Sequence, residues 1–249
     1  MSAQKTILFL GATGGCGFST LRRSLAAGHT CIALCRTPSK LSARLNEGEQ
    51  RTLRLEQGNA HDVDALMRCL INPIDPQGLV DMVVFSIGGL FNFAKMTIDD
   101  PNVCERGISA LLEALKKCRA KTGRSGSNSP RVVVLSTTGI SDVARDVPLL
   151  LFPMYHIMLK DPHKDKRAME RALAASDEAW TVVRPSLLTD GPETDKPIRA
   201  GMEDPAGGRL ESKAIGYTIS REDVGKWIFE NLVQEADEKW VRKAATITY

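Results

Sequence analysis

Ile7-Leu8-Phe9-Leu10-Gly11-Ala12-Thr13-Gly14-Gly15-Cys16-Gly17 is the stretch from which the rest of the chain can be read. Its apolar run predicts a strand over residues 6–10, buried on both faces. The glycines predict a tight turn, and the periodic segment 18–27 predicts a helix. A strand, turn and helix in this order bring unpaired main-chain amides and the positive end of a helix dipole to one point. Absent side chains let a ligand approach the backbone. The stretch therefore predicts a diphosphate cradle made by Gly11, Thr13, Gly14, Gly15, Cys16 and Gly17. Gly17 would also let the helix sit close on the sheet. The bland alternative is a glycine turn without a ligand, and the position between a strand and a helix argues against it.

Outward from this turn, β-rich runs alternate with helical segments, the pattern of βαβ units around a parallel sheet. Strands are expected at residues 30–35, 52–56, 79–85, 131–135, 180–183 and 244–249. Helices are expected at 101–120, 165–175 and 220–234, the last opening on Ser220-Arg221-Glu222-Asp223 as a capping box. The 122–130 segment, with its Gly, Ser and Asn, and the 189–208 segment, rich in Gly, Pro and acidic residues, predict loops. The second follows a strand, where loops border the ligand crevice of an open α/β sheet, and is expected to form a substrate-side flap. The expected fold class is α/β: a single Rossmann-type domain over residues 1–249, with a doubly wound, mostly parallel sheet and C-terminal substrate-side elements.

The totals exclude several classes. The chain has 249 residues, with 33 Lys and Arg against 30 Asp and Glu, so the formal charge is only +3. No basic block stands out, which argues against a nucleic-acid partner. The six cysteines have neither CxxC spacing nor histidines at zinc spacing, so no metal site is expected. The longest apolar stretch, 148–159, is too short to span a bilayer. No membrane contact is expected, and the cytoplasm is the simplest compartment.

Several segments together resemble one family. Gly11-Ala12-Thr13-Gly14-Gly15-Cys16-Gly17 has the G-x-x-G-x-x-G spacing of the atypical short-chain dehydrogenases/reductases, including the NmrA-like NAD(P)H-binding Rossmann proteins. Val83-Val84-Phe85-Ser86-Ile87-Gly88-Gly89 resembles the family's fourth strand and cofactor-lining turn, and Ser136-Thr137-Thr138-Gly139 the end of its fifth. Lys166-x-x-x-Glu170, Trp180-Thr181-Val182-Val183-Arg184-Pro185 and Ile219-Ser220-Arg221-Glu222-Asp223-Val224 resemble NmrA-like segments. The resemblance implies a dinucleotide held by the glycine turn, Ser86, Gly88 and Ser136, with Lys166 at the ribose and nicotinamide. It places residues 1–140 mainly on the cofactor side and 141–249 mainly on the substrate side.

The nucleotide can be read from the end of the second strand. NAD-binding proteins usually place an acid there for the ribose 2′-hydroxyl. Here Arg36, Thr37 and Lys40 stand instead, and a guanidinium fork with hydroxyl donors suits a 2′-phosphate. NADP(H) is the expected cofactor; the alternative is that Arg36 is an ordinary solvated charge. Asn59 stands where relatives carry an acid that contacts adenine, and Asp62 is expected to cap the next helix.

The family's usual catalytic pair is a tyrosine four residues before a lysine. Aligned on Lys166, that position holds Pro162, which cannot donate a proton. Tyr155 precedes Lys160 by the wrong interval. Candidate proton carriers are therefore Tyr155, His156 and His163, with Thr138 able to hydrogen-bond a substrate carbonyl. Each has a plain alternative, as pocket wall, helix start or turn cap. Apolar residues 149–159 suit a pocket wall, a buried helix or an oligomer contact equally. Three functions stay open: hydride transfer from NADPH to a small, largely apolar carbonyl or conjugated acceptor; an NmrA-type NADP(H)-sensing regulator that does not turn over and works through a protein partner; and a non-redox isomerase or cyclase.

Overall fold

The computed structural model describes residues 3–89, 91–92, 97–122, 129–151 and 159–249. Its centre is a strand of five buried residues, β1 (Thr6–Leu10), which leads through the glycine turn into α1 (Gly15–Ala26). β2 (Thr30–Cys35) and β3 (Leu53–Gln57) extend the sheet to one side, linked by the short helices α2 (Pro38–Ser42) and α3 (Glu47–Gln50). After α4 (Val63–Leu70), the chain crosses to the other side of β1 as β4 (Met82–Phe85). A two-residue pair, β5 (Phe91–Asn92) and β6 (Thr97–Ile98), precedes α5 (Val103–Thr122) and β7 (Arg131–Leu135). α6 (Lys160–Ala174), β8 (Trp180–Pro185) and β9 (Leu187–Thr189) follow. The hairpin β10 (Arg199–Asp204) and β11 (Arg209–Ser212) leads to β12 (Thr218–Ser220), α7 (Arg221–Ile228) and β13 (Lys243–Thr248).

The main sheet runs β11-β10-β13-β8-β7-β4-β1-β2-β3. From β3 to β13 every pairing is parallel, and only β10 and β11 are antiparallel. This is the expected Rossmann-type, doubly wound α/β order. The direction of winding reverses between β1 and β4, so a crevice opens at their carboxyl ends, where the glycine turn sits. One face of the sheet is closed by α4, α5 and α6, through Leu66, Ile108, Leu111 and Met169. The other is closed by α1 and α7, through Leu21, Leu25, Val224 and Trp227.

Three expectations are corrected. The run over residues 79–85 becomes a strand only from Met82, because Leu79 pairs with Ile71 in an isolated bridge. The helix expected from residue 165 starts at Lys160, since Pro162 falls in its first turn, where its missing N–H costs no helix bond. The flap expected over residues 189–208 contains β10, paired antiparallel with β13. Its buried positions are Gly201 and the charged Glu203, so the segment reads as polar although it is a sheet strand. Among the described residues no helix is long and apolar enough to cross a membrane.

Candidate cofactor and substrate site

The glycine turn is built by close approach. Gly11 has a φ of +93°, and a Cβ there would lie 2.7 Å from the Ser86 carbonyl. A Cβ on Gly17 would fall 2.1 Å from Ser86 Oγ and 2.7 Å from the Gly11 oxygen. Ser86 Oγ donates to the main-chain oxygens of Leu10 and Gly11, both at 3.1 Å, so this hydroxyl holds the turn. The N-cap of α1 is Gly14, which offers no capping side chain, and the first turn carries no acid. The first helical bond is Phe18 N to Gly14 O at 3.2 Å. The amides of Gly15, Cys16 and Gly17 are therefore without intrahelical partners, at the positive end of the dipole. These features fit a diphosphate. Burial pushes the Cys16 thiol up to about 12, so the thiol stays protonated and its contribution is its amide.

Two cations that the sequence reading passed over stand beside this turn. Arg44 lies 3.7 Å above the Phe18 ring and donates to Thr13 O at 2.7 Å. Arg221, at the start of α7, puts its Cδ 3.4 Å from where a Gly15 Cβ would be, and pairs with Asp190 at 2.7 Å. Spacing in the chain carries no signal for either, because each is delivered by packing. The end of β2 has no carboxylate from residue 35 to residue 44. Arg36, Thr37 and Lys40 are exposed there, and Thr37 caps α2 without a side-chain bond. Asn59 is exposed and its oxygen accepts from His61 N at 3.1 Å, leaving its amide donor. Asp62 caps α4 as expected, accepting from the amides of Asp64 and Ala65.

Lys166 reaches the same crevice from α6. Its ammonium donates to Ile87 O at 3.1 Å and to Leu135 O at 2.6 Å, just beyond the ends of β4 and β7. The Cys104 thiol also lies within hydrogen-bonding reach of this ammonium. The adjacent Asp165 is buried and accepts from the amides of Cys104 and Glu105, both at 2.9 Å, which fixes α5 against α6. Ser136, next after β7, is buried, and its hydroxyl has no partner among the described residues. Buried hydroxyls are normally paired. Thr138 is buried, with its amide bonded to Pro185 O at 3.1 Å. His163 is buried on α6 together with Asp165 and Met169. Gly88 is exposed and a Cβ there would meet nothing. Tyr155 and His156 lie outside the described residues, as does most of the 149–159 wall.

The K-x-x-x-E and R-P segments meet in space. Arg184 is buried and bridges Glu170 on α6, at 2.6 Å, and Glu203 on β10, at 2.9 Å. Burial alone would lower the guanidinium's pKa, but the two carboxylates outweigh it and raise it. Further along the carboxyl edge, a cleft of about 550 Å³ opens between the loop after β7, at Arg145 and Leu149, and Tyr217, Thr218 and Tyr249. Among the described residues no cluster of His, Cys, Asp or Glu is placed to hold a metal.

This crevice, with its capless helix start at a topological switch, is the site of a dinucleotide-binding protein. The chain belongs to the NAD(P)H-binding family, whose model matches residues 11–235. It is 40% identical to Reductase pytE of Aspergillus terreus, over all of this chain and 99% of that one. It is 34% identical to Oxidase pynE of Aspergillus niger, over 99% of each. Among solved structures, a short-chain dehydrogenase/reductase from Veillonella parvula in complex with NADP superposes with a TM-score of 0.72. It does so at 17% identity, over 99% of this chain and 95% of that one, a likeness of fold.

Proposed function

We propose that the protein is an NADPH-dependent oxidoreductase that delivers hydride to a small, largely apolar carbonyl or conjugated acceptor. The observation that carries this reading is the glycine turn itself. Amides without intrahelical partners face a crevice that the Lys166 ammonium also borders, at the ends of β4 and β7. Relatives named a reductase and an oxidase support redox chemistry on this scaffold.

When bound, the dinucleotide supplies the hydride. The protein's part is to bind, orient and exclude water. The Gly15, Cys16 and Gly17 amides hold the diphosphate, and Arg36 with Lys40 holds the 2′-phosphate, with Arg44 adding positive charge nearby. Lys166 holds the ribose, and the Ser136 hydroxyl donates to the acceptor's oxygen. On this reading residues 1–140 form mainly the cofactor side and 141–249 mainly the substrate side.

Pro162, in the place of the usual tyrosine, favours a second reading, a regulator that binds NADP(H) without turnover. Incubation with NADPH and a broad panel of quinones, flavins and aromatic ketones separates the two. Loss of NADPH absorbance supports the enzyme. Saturable NADPH binding with no oxidation across the panel, and a protein partner that co-purifies, supports the regulator. A titration with NADPH that never saturates rejects both.

A further inference from the structure

The cleft at the amino end of β12 and the carboxyl end of β13 is predominantly cationic. Its lining includes Arg145, Lys196 and Arg199 and no Asp or Glu. Arg199 donates to Ile215 O at 3.0 Å and to a main-chain oxygen of Tyr249, the final residue, whose negative charge it meets. Arg145 donates to Val147 O at 2.6 Å, and Lys196 lies 4.9 Å from the centre of the Tyr249 ring. Among the described residues neither Arg145 nor Lys196 is paired with a carboxylate, although Asp and Glu elsewhere on the surface are widely paired. Arg145 and Lys196 are exposed, so their charges are available at the mouth. The rim is apolar: Leu149 is 72% exposed and Tyr217 54%, an unusual exposure for large hydrophobic side chains.

The cleft also lies on the reactive side of the sheet. β7, β8 and β13 are consecutive parallel neighbours, so their carboxyl ends open on one edge. Ser136 follows β7 and Tyr249 follows β13, two strand spacings apart, or roughly 10 Å. The loop from β7 supplies both Ser136 and the cleft wall at Arg145, Pro148 and Leu149. Asp146, beside Arg145, is buried and accepts from Gly139 N at 2.9 Å, which ties that wall to the end of β7.

We propose that this cleft binds a carboxylate on the acceptor molecule, so that the substrate is an apolar organic acid whose reducible group lies toward Ser136. The inference rests on reading the crevice as the hydride-transfer site. Cations with no acidic partner attract an anion, the exposed apolar rim receives the body of the acid, and the spacing leaves room for a ring or short chain between the two ends.

The test uses the full chain saturated with NADP⁺ and two probes of equal shape, 2-naphthoate and 2-naphthamide, followed by calorimetry. The expected result is a preference for the acid of about tenfold, because each exposed ion pair contributes up to about fivefold. Arg145→Gln and Lys196→Met should each erode the preference, and the double variant should abolish it with naphthamide affinity unchanged. Added salt should also shrink it. Equal affinities, no saturation by naphthoate, or a preference that survives in the double variant overturns the proposal. NADPH affinity, measured on the same samples, keeps the two readings apart. If NADPH binds and the acid preference is absent, only the cleft assignment fails; if NADPH does not bind, the function fails first.

Discussion

At the scale of single residues, glycines that look alike in the sequence stand in different surroundings. Gly17 has no room for a methyl group, whereas the nearest atom to a Cβ on Gly14 is 3.8 Å away and its φ is an extended −172°. Gly17→Ala should therefore destabilise the protein by about 1–3 kcal/mol, through overpacking against Ser86. Gly14→Ala should leave the urea midpoint nearly unchanged. A Gly17→Ala variant as stable as the parent would show that the turn is looser than described. Arg36 is a test of charge rather than space. Arg36→Ala should weaken NADPH binding by about 1–3 kcal/mol and leave NADH almost unaffected. An equal loss for both nucleotides, read by fluorescence titration, would remove the 2′-phosphate role.

At the scale of elements, α7 shows how a cap expected from four residues is completed from elsewhere. Ser220 Oγ accepts from Asp223 N at 3.0 Å, the expected half of a capping box. The other half is not made by Asp223, because the Ser220 amide donates to Tyr249 Oη at 3.0 Å. The Asp223 carboxylate accepts from Thr194, Ser220 and Tyr249 instead. Burial pushes its pKa up, but the hydrogen bonds from Tyr249, Thr194 and Ser220 outweigh this and hold it below the usual carboxylate range. A depressed pKa contributes stability above the unfolded value, about 3.9, and that contribution is lost as pH falls through the folded value. The urea midpoint should thus drop on acidification below about pH 4. Asp223→Asn should lower stability at pH 7 and flatten that acid slope. A variant with an unchanged slope would place the acid sensitivity elsewhere.

At the scale of the whole molecule, Arg184 links β8, α6 and β10, tying the antiparallel extension to the parallel sheet. The two carboxylates outnumber the guanidinium, so the consequences of removal are unequal. Arg184→Met leaves the buried Glu203 and the half-buried Glu170 without their cation and should cost about 3–5 kcal/mol. Glu203→Gln leaves a neutral Arg184–Glu170 pair and should cost less. Chemical denaturation of both variants checks the order, and a larger loss in Glu203→Gln would contradict it. The alignment of Lys166 with the crevice depends on the same framework, since Lys166 and Glu170 share one helix.

The sheet class, the strand limits around the first turn and the glycine turn itself were legible in the chain, because each depends on neighbours within a few positions. Apolar runs, glycine spacing and a missing acid after β2 are local facts. Arg44, Arg221 and the cationic cleft were not legible, since their partners are distant in sequence and come together only when α7 packs on α1 and β13 closes the sheet. Glu203 misled for the same reason: a charge reads as solvent-facing until the buried Arg184 that neutralises it is in place. Short-range sterics and periodicity thus wrote the fold into the residue order, whereas long-range packing and charge pairing chose which side chains surround the crevice.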